Sequence, residues 1–309
     1  YNITIACFQA LHEFIRASDH FITAVIVSDE AATGDVGVHD VGTSLTSLAQ
    51  SAGLPILRPI RNDVNSLQFV EKIRALKPTL MLVVQFPRIF QPPFFSIPTK
   101  ACLNVHRGWP LRGGSIDERI IYGKYTTYSI ILHHVSKGID TGNIIGVEQF
   151  VVRANETGYS LDQKVTEHGV TLLQKHLFPC IGGTIPQGFK QDISQTVYEN
   201  KWSDDRKLLD FGRYSAREIE RLSRALFHPR EKGLCWIVEG RYFFLRPVEI
   251  RDEVVAEYIP GQIIQLDKEV IRVAAREGEV VITNPPEGLV DVLILRAGST
   301  HTLGKMRHL

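Results

Sequence analysis

The chain has 309 residues, and 35 Lys and Arg against 34 Asp and Glu leave a formal net charge of +1. With 44% hydrophobic and 22% charged residues it has globular composition, and the charge balance excludes an overall electrostatic grip on nucleic acid or an anionic membrane, a local patch aside. Four scattered cysteines (Cys7, Cys102, Cys180, Cys235) form no Cys-x-x-Cys and suggest no zinc site. Cys7 and Cys102, inside apolar runs, read as buried free thiols, and the pattern suits a reducing, cytoplasmic setting, with no signal peptide and no apolar run long enough to span a bilayer.

The first two thirds alternate strand and helix. Ile3 to Phe8 reads as a buried strand, Ala10 to Ala17 as a short helix, and Phe21 to Val27 as a second strand. Ser28 to Gly42 is polar and glycine-containing, which suits a loop. Thr43 to Ser51 reads as a helix stopped by Gly53 and Pro55, and Ile56 to Ile60 as a short strand. Asn65 to Leu76 has Leu67, Val70, Ile73 and Leu76 at helical spacing. Thr79 to Val84 is an unbroken apolar run, typical of a strand buried on both faces. Lys100 to Leu103 leads into a further strand end at Asn104 and His106, followed by a glycine-rich loop from Arg107 to Gly114. Ser115 to Tyr122 reads as a helix, Tyr128 to Val135 as a strand, and Asn143 to Val152 as extended chain. This alternation argues for a parallel α/β sheet.

The last third differs. Ser160 to Gln163 is a capping-box pattern opening a helix to about His176, and Gly182, Gly183 and Pro186 break the chain. Gln191 to Asp205 is polar and without period, so it reads as a linker. Ser215 to Glu218 is a second capping box, opening a helix to about Leu226. Short strands then follow over Cys235 to Val238, Arg241 to Pro247, Gly261 to Leu266, Val270 to Ala274, Glu279 to Thr283 and Val290 to Leu295. Their spacing suggests a small barrel.

Ligands of such α/β sheets bind beyond the carboxyl ends of the strands. Asn104 and His106 close one such end, two residues apart and so on the same face. Asp140 stands in a glycine-bracketed turn, Gly138 to Gly142. A donor amide, an imidazole and a carboxylate form a minimal kit for acyl transfer. Each residue alone also has an ordinary structural role: turn-shaping for Asn104 and Asp140, packing for His106. The loop between them matches neither a Rossmann fingerprint nor a Walker loop.

In order, Asn104-Val105-His106, Arg112-Gly113, the helix from Ser115, His133 on its strand and Asp140-Thr141-Gly142 resemble the pattern of the 10-formyltetrahydrofolate-dependent formyltransferases. That group includes methionyl-tRNA formyltransferase, sugar N-formyltransferases, the formylating domain of the aminoarabinose pathway and glycinamide ribonucleotide transformylase. Gln191-Asp192, Thr196 to Tyr198 and Arg224 to Pro229 look like the region that joins the catalytic domain to the barrel in the tRNA and aminoarabinose enzymes, and Pro260 to Ile264 looks like the barrel opening. The chain departs from the pattern at Arg107-Gly108-Trp109-Pro110, where a Ser-Leu-Leu-Pro-type segment is usual, and at Ser129-Ile130-Ile131 before His133.

The resemblance implies an α/β fold, a mostly parallel Rossmann-like sheet followed by a small OB-like C-terminal barrel. It implies a catalytic domain over residues 1–190, a linker over 191–205 and the barrel-like domain over 206–309. The reaction implied is transfer of the formyl group of 10-formyltetrahydrofolate, a cosubstrate, to a primary amine, with no metal. Asn104 donates to the oxyanion, His106 stabilises charge or moves the amine proton, and Asp140 orients the imidazole or accepts a proton through water. Gln85, Phe86, Pro87 and Ile139 are the candidates for the pterin pocket, with a core role for Phe86 as the other reading. His133 supports the site or packs, and His134 faces away. Trp109 and Arg112 are candidates for the acceptor, by stacking and by binding an anion, with a core Trp and a surface Arg as the other reading. The favoured acceptor is a small amine such as a nucleotide-linked amino sugar; tRNA is less favoured because the charge is balanced. The other readings are a 10-formyltetrahydrofolate hydrolase and a non-catalytic folate- or nucleotide-binding module.

Overall fold

The computed structural model describes residues 2–28, 44–229, 233–251 and 258–299. The chain divides into two compact units: Tyr1–Ile116, Thr127–Val151 and Asp162–Asn200 in the first, and Asp117–Thr126, Val152–Leu161 and Lys201–Leu309 in the second.

The first unit opens with helix α1 (Asn2–Arg16), where a strand followed by a short helix was expected. Ile3, Cys7 and Ile15 are buried and Leu11 is half-buried. A strand would turn Gln9 and Glu13 to that same side, but both are exposed; only the helical period separates them from the buried residues, and over the whole segment it outweighs the β-branched run at its start. β1 (Val25–Ile26) pairs in parallel with β2 (Ile56–Leu57). Between them lies α2 (Leu45–Ser51), capped by the Ser44 side chain, which accepts the N–H of Ser47. The polar loop expected up to Gly42 lies, past Ser28, outside the described residues. α3 (Leu67–Ala75) buries Phe69, Val70 and Ile73, while Leu67, expected on the buried stripe, is exposed.

β3 (Leu80–Val84), α4 (Pro92–Phe95), β4 (Ala101–Trp109), β5 (Leu111–Gly113), α5 (Ile116–Tyr122), β6 (Thr127–His134) and β7 (Ile144–Val151) follow in order. Four of these strands form a sheet in the order β3-β4-β6-β7. β3 and β4 are parallel, like β1 and β2. β6 runs antiparallel to both β4 and β7, so β3, β4 and β7 point one way and β6 alone the other, in keeping with the parallel-rich sheet expected. The short 135–143 connection between β6 and β7 has no room for the crossover that a parallel pair needs. β3 lies at the edge of this sheet, and its residues are half-buried rather than enclosed on both faces.

β4 continues three residues past His106, so the first part of the expected glycine-rich loop is strand. The ladder shifts register between Arg107 and Trp109, where Gly108 has φ +77°. The helix α6 (Gly158–His176) starts earlier than expected. Thr157 and Ser160 cap each other: the Ser160 N–H donates to Thr157 Oγ1 at 3.1 Å and the Thr157 N–H to Ser160 Oγ at 3.0 Å. β8 (Val197–Glu199) then pairs in parallel with β5. The two backbones meet so closely that a Cβ on Gly113 would lie 1.9 Å from the Glu199 carbonyl oxygen.

In the second unit, α7 (Ala216–Ala225) carries the expected capping box, Ser215 with Glu218. β9 (Leu234–Val238) and β10 (Arg241–Leu245) form an antiparallel pair. β11 (Glu249–Arg251), β12 (Ile263–Leu266), β13 (Val270–Ala274) and β14 (Glu279–Thr283) form an antiparallel sheet in the order β11-β14-β13-β12. The strand expected from Val290 to Leu295 is instead part of helix α8 (Leu289–Ser299). Leu289, Val290, Val292 and Leu293 are buried while Ile294 and Leu295 are exposed, the one-sided pattern of a helix. Among the described residues these strands make two sheets and no closed barrel, because the last expected stave is helical.

Candidate active site

Strand alternation in β4 sets Asn104 and His106 on one face. β6 lies beside it with His133 directly opposite Asn104, which brings Asn104 Nδ2 within 3.1 Å of His133 Nε2. The same amide nitrogen donates to Asp140 Oδ1 at 3.1 Å. Asp140 stands on the turn after β6 with φ +51°, a left-handed conformation that Asp adopts more readily than most residues. The turn folds back closely: a Cβ on Gly142 would lie 1.7 Å from the His134 carbonyl oxygen. Glycine is required there by contact.

The imidazole of His106 sits between two acceptors. Nδ1 is 3.4 Å from Asp140 Oδ2, and Nε2 is 2.7 Å from the Leu111 carbonyl oxygen. A carbonyl only accepts, so Nε2 carries the hydrogen and the neutral ring keeps its lone pair on Nδ1. The same logic applies to His133. Its Nδ1 donates to the His134 carbonyl at 2.8 Å, so in the neutral ring Nε2 accepts from Asn104. Both hydrogens of the Asn104 amide are therefore engaged. A flipped amide would turn its oxygen towards the carboxylate, which fixes the orientation.

Burial holds His106 below the ordinary imidazole value of 6.5, against the upward pull of the Asp140 carboxylate. For Asp140 burial pushes upward, but the polar groups gathered round the carboxylate, His133 first and then His106 and Arg112, outweigh it. The carboxyl is held below 3.8. At neutral pH a neutral, buried imidazole thus faces an ionised carboxylate, and a proton arriving on Nδ1 is shared between them.

The other candidates are placed as follows. Val84 pairs with Val105, so the chain leaves β3 at Gln85 level with His106. Gln85 and Pro87 are exposed, and the Gln85 side chain accepts from Thr4 Oγ1 at 3.2 Å. Phe86 is half-buried against an aromatic cluster, its ring centroid 5.3 Å from that of Phe90. Arg112 donates to the Ile139 carbonyl at 3.1 Å, bracing the Asp140 turn. Trp109 donates its indole N–H to Gln191 Oε1 at 3.0 Å. His134 faces away and donates to the Pro186 carbonyl at 2.8 Å.

Two residues at this site carried no assignment from sequence. Gln191, at the start of the expected linker, is only 4% exposed and donates to the carbonyls of Asp140 at 3.0 Å and Gly142 at 2.6 Å. Its membership of the Gln191-Asp192 pair, which resembles the family's joining region, is the available signal. Arg107, on the opposite face of β4 from His106, pairs with Asp162 at 3.1 Å and bonds the Tyr128 hydroxyl at 3.2 Å. Among the described residues no group of three or more His, Cys, Asp or Glu side chains is arranged to hold a metal ion. No described helix is long and apolar enough to cross a membrane.

A family model described as formyl transferase matches residues 3–177, more than half of the chain. This chain belongs to the formyl transferase family. The methionyl-tRNA formyltransferase of Lachnospira eligens is 28% identical over 274 residues, covering 87% of this chain and 85% of that protein. Among solved structures, an N-formyltransferase from Helicobacter canadensis in complex with folinic acid and dTDP-3-aminofucose aligns over 90% of this chain and 94% of its own, with a TM-score of 0.64 and 20% identity. HypX from Aquifex aeolicus, in complex with tetrahydrofolic acid, aligns over 75% of this chain and 40% of its own, with a TM-score of 0.56 and 18% identity. At these identities the two structures share the fold with this chain.

Proposed function

We propose that this chain transfers the formyl group of 10-formyltetrahydrofolate to a primary amine on a small acceptor, most simply a nucleotide-linked amino sugar. The observation that carries the reading is the convergence of Asn104, His106 and Asp140, with contacts of 3.1 and 3.4 Å to the one carboxylate.

The folate, when bound, supplies the activated formyl carbon. In this reading His106 takes the proton of the attacking amine on Nδ1, the nitrogen that the Leu111 carbonyl leaves basic. Asp140 then stabilises the imidazolium, which would give that proton to the folate nitrogen as the bond from that nitrogen to the formyl carbon breaks. As the carboxylate turns to that new donor, Asn104 is released to give a hydrogen to the negative charge developing on the formyl oxygen. Gln85, Phe86, Pro87 and Ile139 receive the pterin. In support, the chain leaves β3 level with His106, and Phe86 presents a half-buried ring. Trp109 offers its ring face to the acceptor while its N–H is held by Gln191, and Arg112 secures the turn beside it. Residues 1–190 carry this chemistry in the reading, and the setting is the cytoplasm, in keeping with cysteines that are all free thiols.

The amino-sugar acceptor is supported by the dTDP-3-aminofucose in the Helicobacter canadensis neighbour, which matches this chain across nearly its whole length. A methionyl-tRNA acceptor is the second reading, favoured by the 28% identity to the Lachnospira eligens enzyme. An acceptor panel decides between them. The chain is incubated with 10-formyltetrahydrofolate and either nucleotide-linked amino sugars or charged initiator tRNA, and products are weighed by mass spectrometry. A gain of one formyl group on an amino sugar is expected. Gain only on the aminoacyl-tRNA moves the assignment to the second reading, and formate release without any formylated amine defeats transfer altogether.

A further inference from the structure

We infer that Gln191 is a positioning residue for Asp140, holding the carboxylate in register with His106 from a segment outside both strands of the site. Its side chain is a fully used amide. Nε2 gives its hydrogens to the Asp140 carbonyl at 3.0 Å and the Gly142 carbonyl at 2.6 Å, and Oε1 takes the Trp109 indole N–H at 3.0 Å. At 4% exposure there is little water to replace any of the three bonds.

The need for such a clamp follows from the turn. Asp140 has a left-handed backbone, φ +51°, which costs energy in a non-glycine residue and persists only where the surroundings over-determine it. β6 ends at His134 and β7 begins at Ile144, so the sheet ladder does not fix the residues between. Gln191 bonds the backbone on both sides of Thr141, while Arg112 bonds the Ile139 carbonyl one residue earlier. Side chains from outside the turn thus bond the backbone at three of its positions, and the Asp140 carboxylate moves with them.

The inference takes its catalytic meaning from the formyl-transfer reading, but its test does not need an acceptor. The full chain carrying labelled histidine is titrated by NMR, following the His106 imidazole in four backgrounds: unchanged, Asp140→Asn, Gln191→Met and the double variant. Asp140→Asn is expected to lower the His106 midpoint in the unchanged chain, because the carboxylate that raises it is lost. In the Gln191→Met background the same substitution is expected to move the midpoint less than half as far, since the carboxylate no longer sits in register. Equal movement in both backgrounds overturns the assignment. Gln191→Glu keeps the shape of the side chain but, when ionised, cannot donate to either carbonyl. It provides the same comparison should Gln191→Met fail to fold, and again equal movement overturns the assignment. A failed acceptor panel with reduced coupling would remove the proposed reaction and leave the positioning role standing.

Discussion

Asn104 donates to Asp140 at 3.1 Å across a separation of 36 residues, and in doing so aims the other carboxylate oxygen at His106, 3.4 Å away. One hydrogen bond therefore sets both the donor and the proton-handling part of the site. Its removal should affect two functions at once.

Asn104→Ala should lower the single-turnover rate of formyl transfer by about 100- to 1000-fold, the usual loss when an oxyanion donor is removed, equivalent to about 2.7–4 kcal/mol. Acceptor affinity should change much less. Rapid-quench measurement at saturating folate separates the two. A change confined to KM would mean that Asn104 serves only binding.

The pH dependence of transfer should follow His106 in its neutral form. Burial holds this imidazole below 6.5, so the active form predominates at neutral pH. Activity should fall only as pH drops through the depressed value. Asp140→Asn removes the main upward pull on His106 and should shift that acidic limb to lower pH while lowering the plateau. A pH series of kcat/KM on the unchanged chain and the variant reads both effects.

Folding stability should decline on acidification. His106 has a folded value below its unfolded 6.5, so below that pH the unfolded chain binds a proton that the folded chain refuses. The resulting loss builds up until the folded value is passed. Asp140 is held below 3.8 in the folded state. Its contribution is present above that pH and lost as pH falls through the folded value. Both act in the same direction. Thermal unfolding followed from pH 7 to pH 3, referenced to an Asp140→Asn and His106→Gln double variant, should show a shallower decline in the double variant.

Asp162→Ala should destabilise the fold by about 3 kcal/mol, because it leaves the Arg107 guanidinium partly buried without its carboxylate. The two side chains are 15% and 13% exposed. Asp162→Asn keeps an acceptor and should cost less. Urea unfolding curves give both values.

Gly142→Ala should reduce transfer at least tenfold, because its methyl would meet the His134 carbonyl and displace the Asp140 turn. Gly183→Ala meets nothing within 4 Å and should leave transfer unchanged. Steady-state assays of the two variants provide the paired comparison.

What could be read from the sequence followed the range of the interactions. Asn104 and His106 on one face follow from strand alternation, which is local, and the Ser215 capping box is equally local and is present. The first residues of α1 have the look of a strand, and what marks the helix is that Gln9 and Glu13, which a strand would turn inward with Ile3, Cys7 and Ile15, are polar and exposed. Val290 to Leu295 is ambiguous for a similar reason: short apolar runs do not separate strand from helix. The edge position of β3 depends on which strands pair, and no property of its own apolar residues encodes that. Gln191 lies 51 residues from the Asp140 carbonyl that it binds. A polar residue in an aperiodic stretch gives no sign of such a partner.

The Leu111 carbonyl that binds His106 lies five residues along the same chain. A free neutral imidazole divides its population between two tautomers; here the backbone has already chosen. Which nitrogen is basic is thus written into one short stretch around the end of β4, while the place of the carboxylate depends on distant segments. A change in those segments can detune the proton relay without ever presenting the amine with the wrong nitrogen.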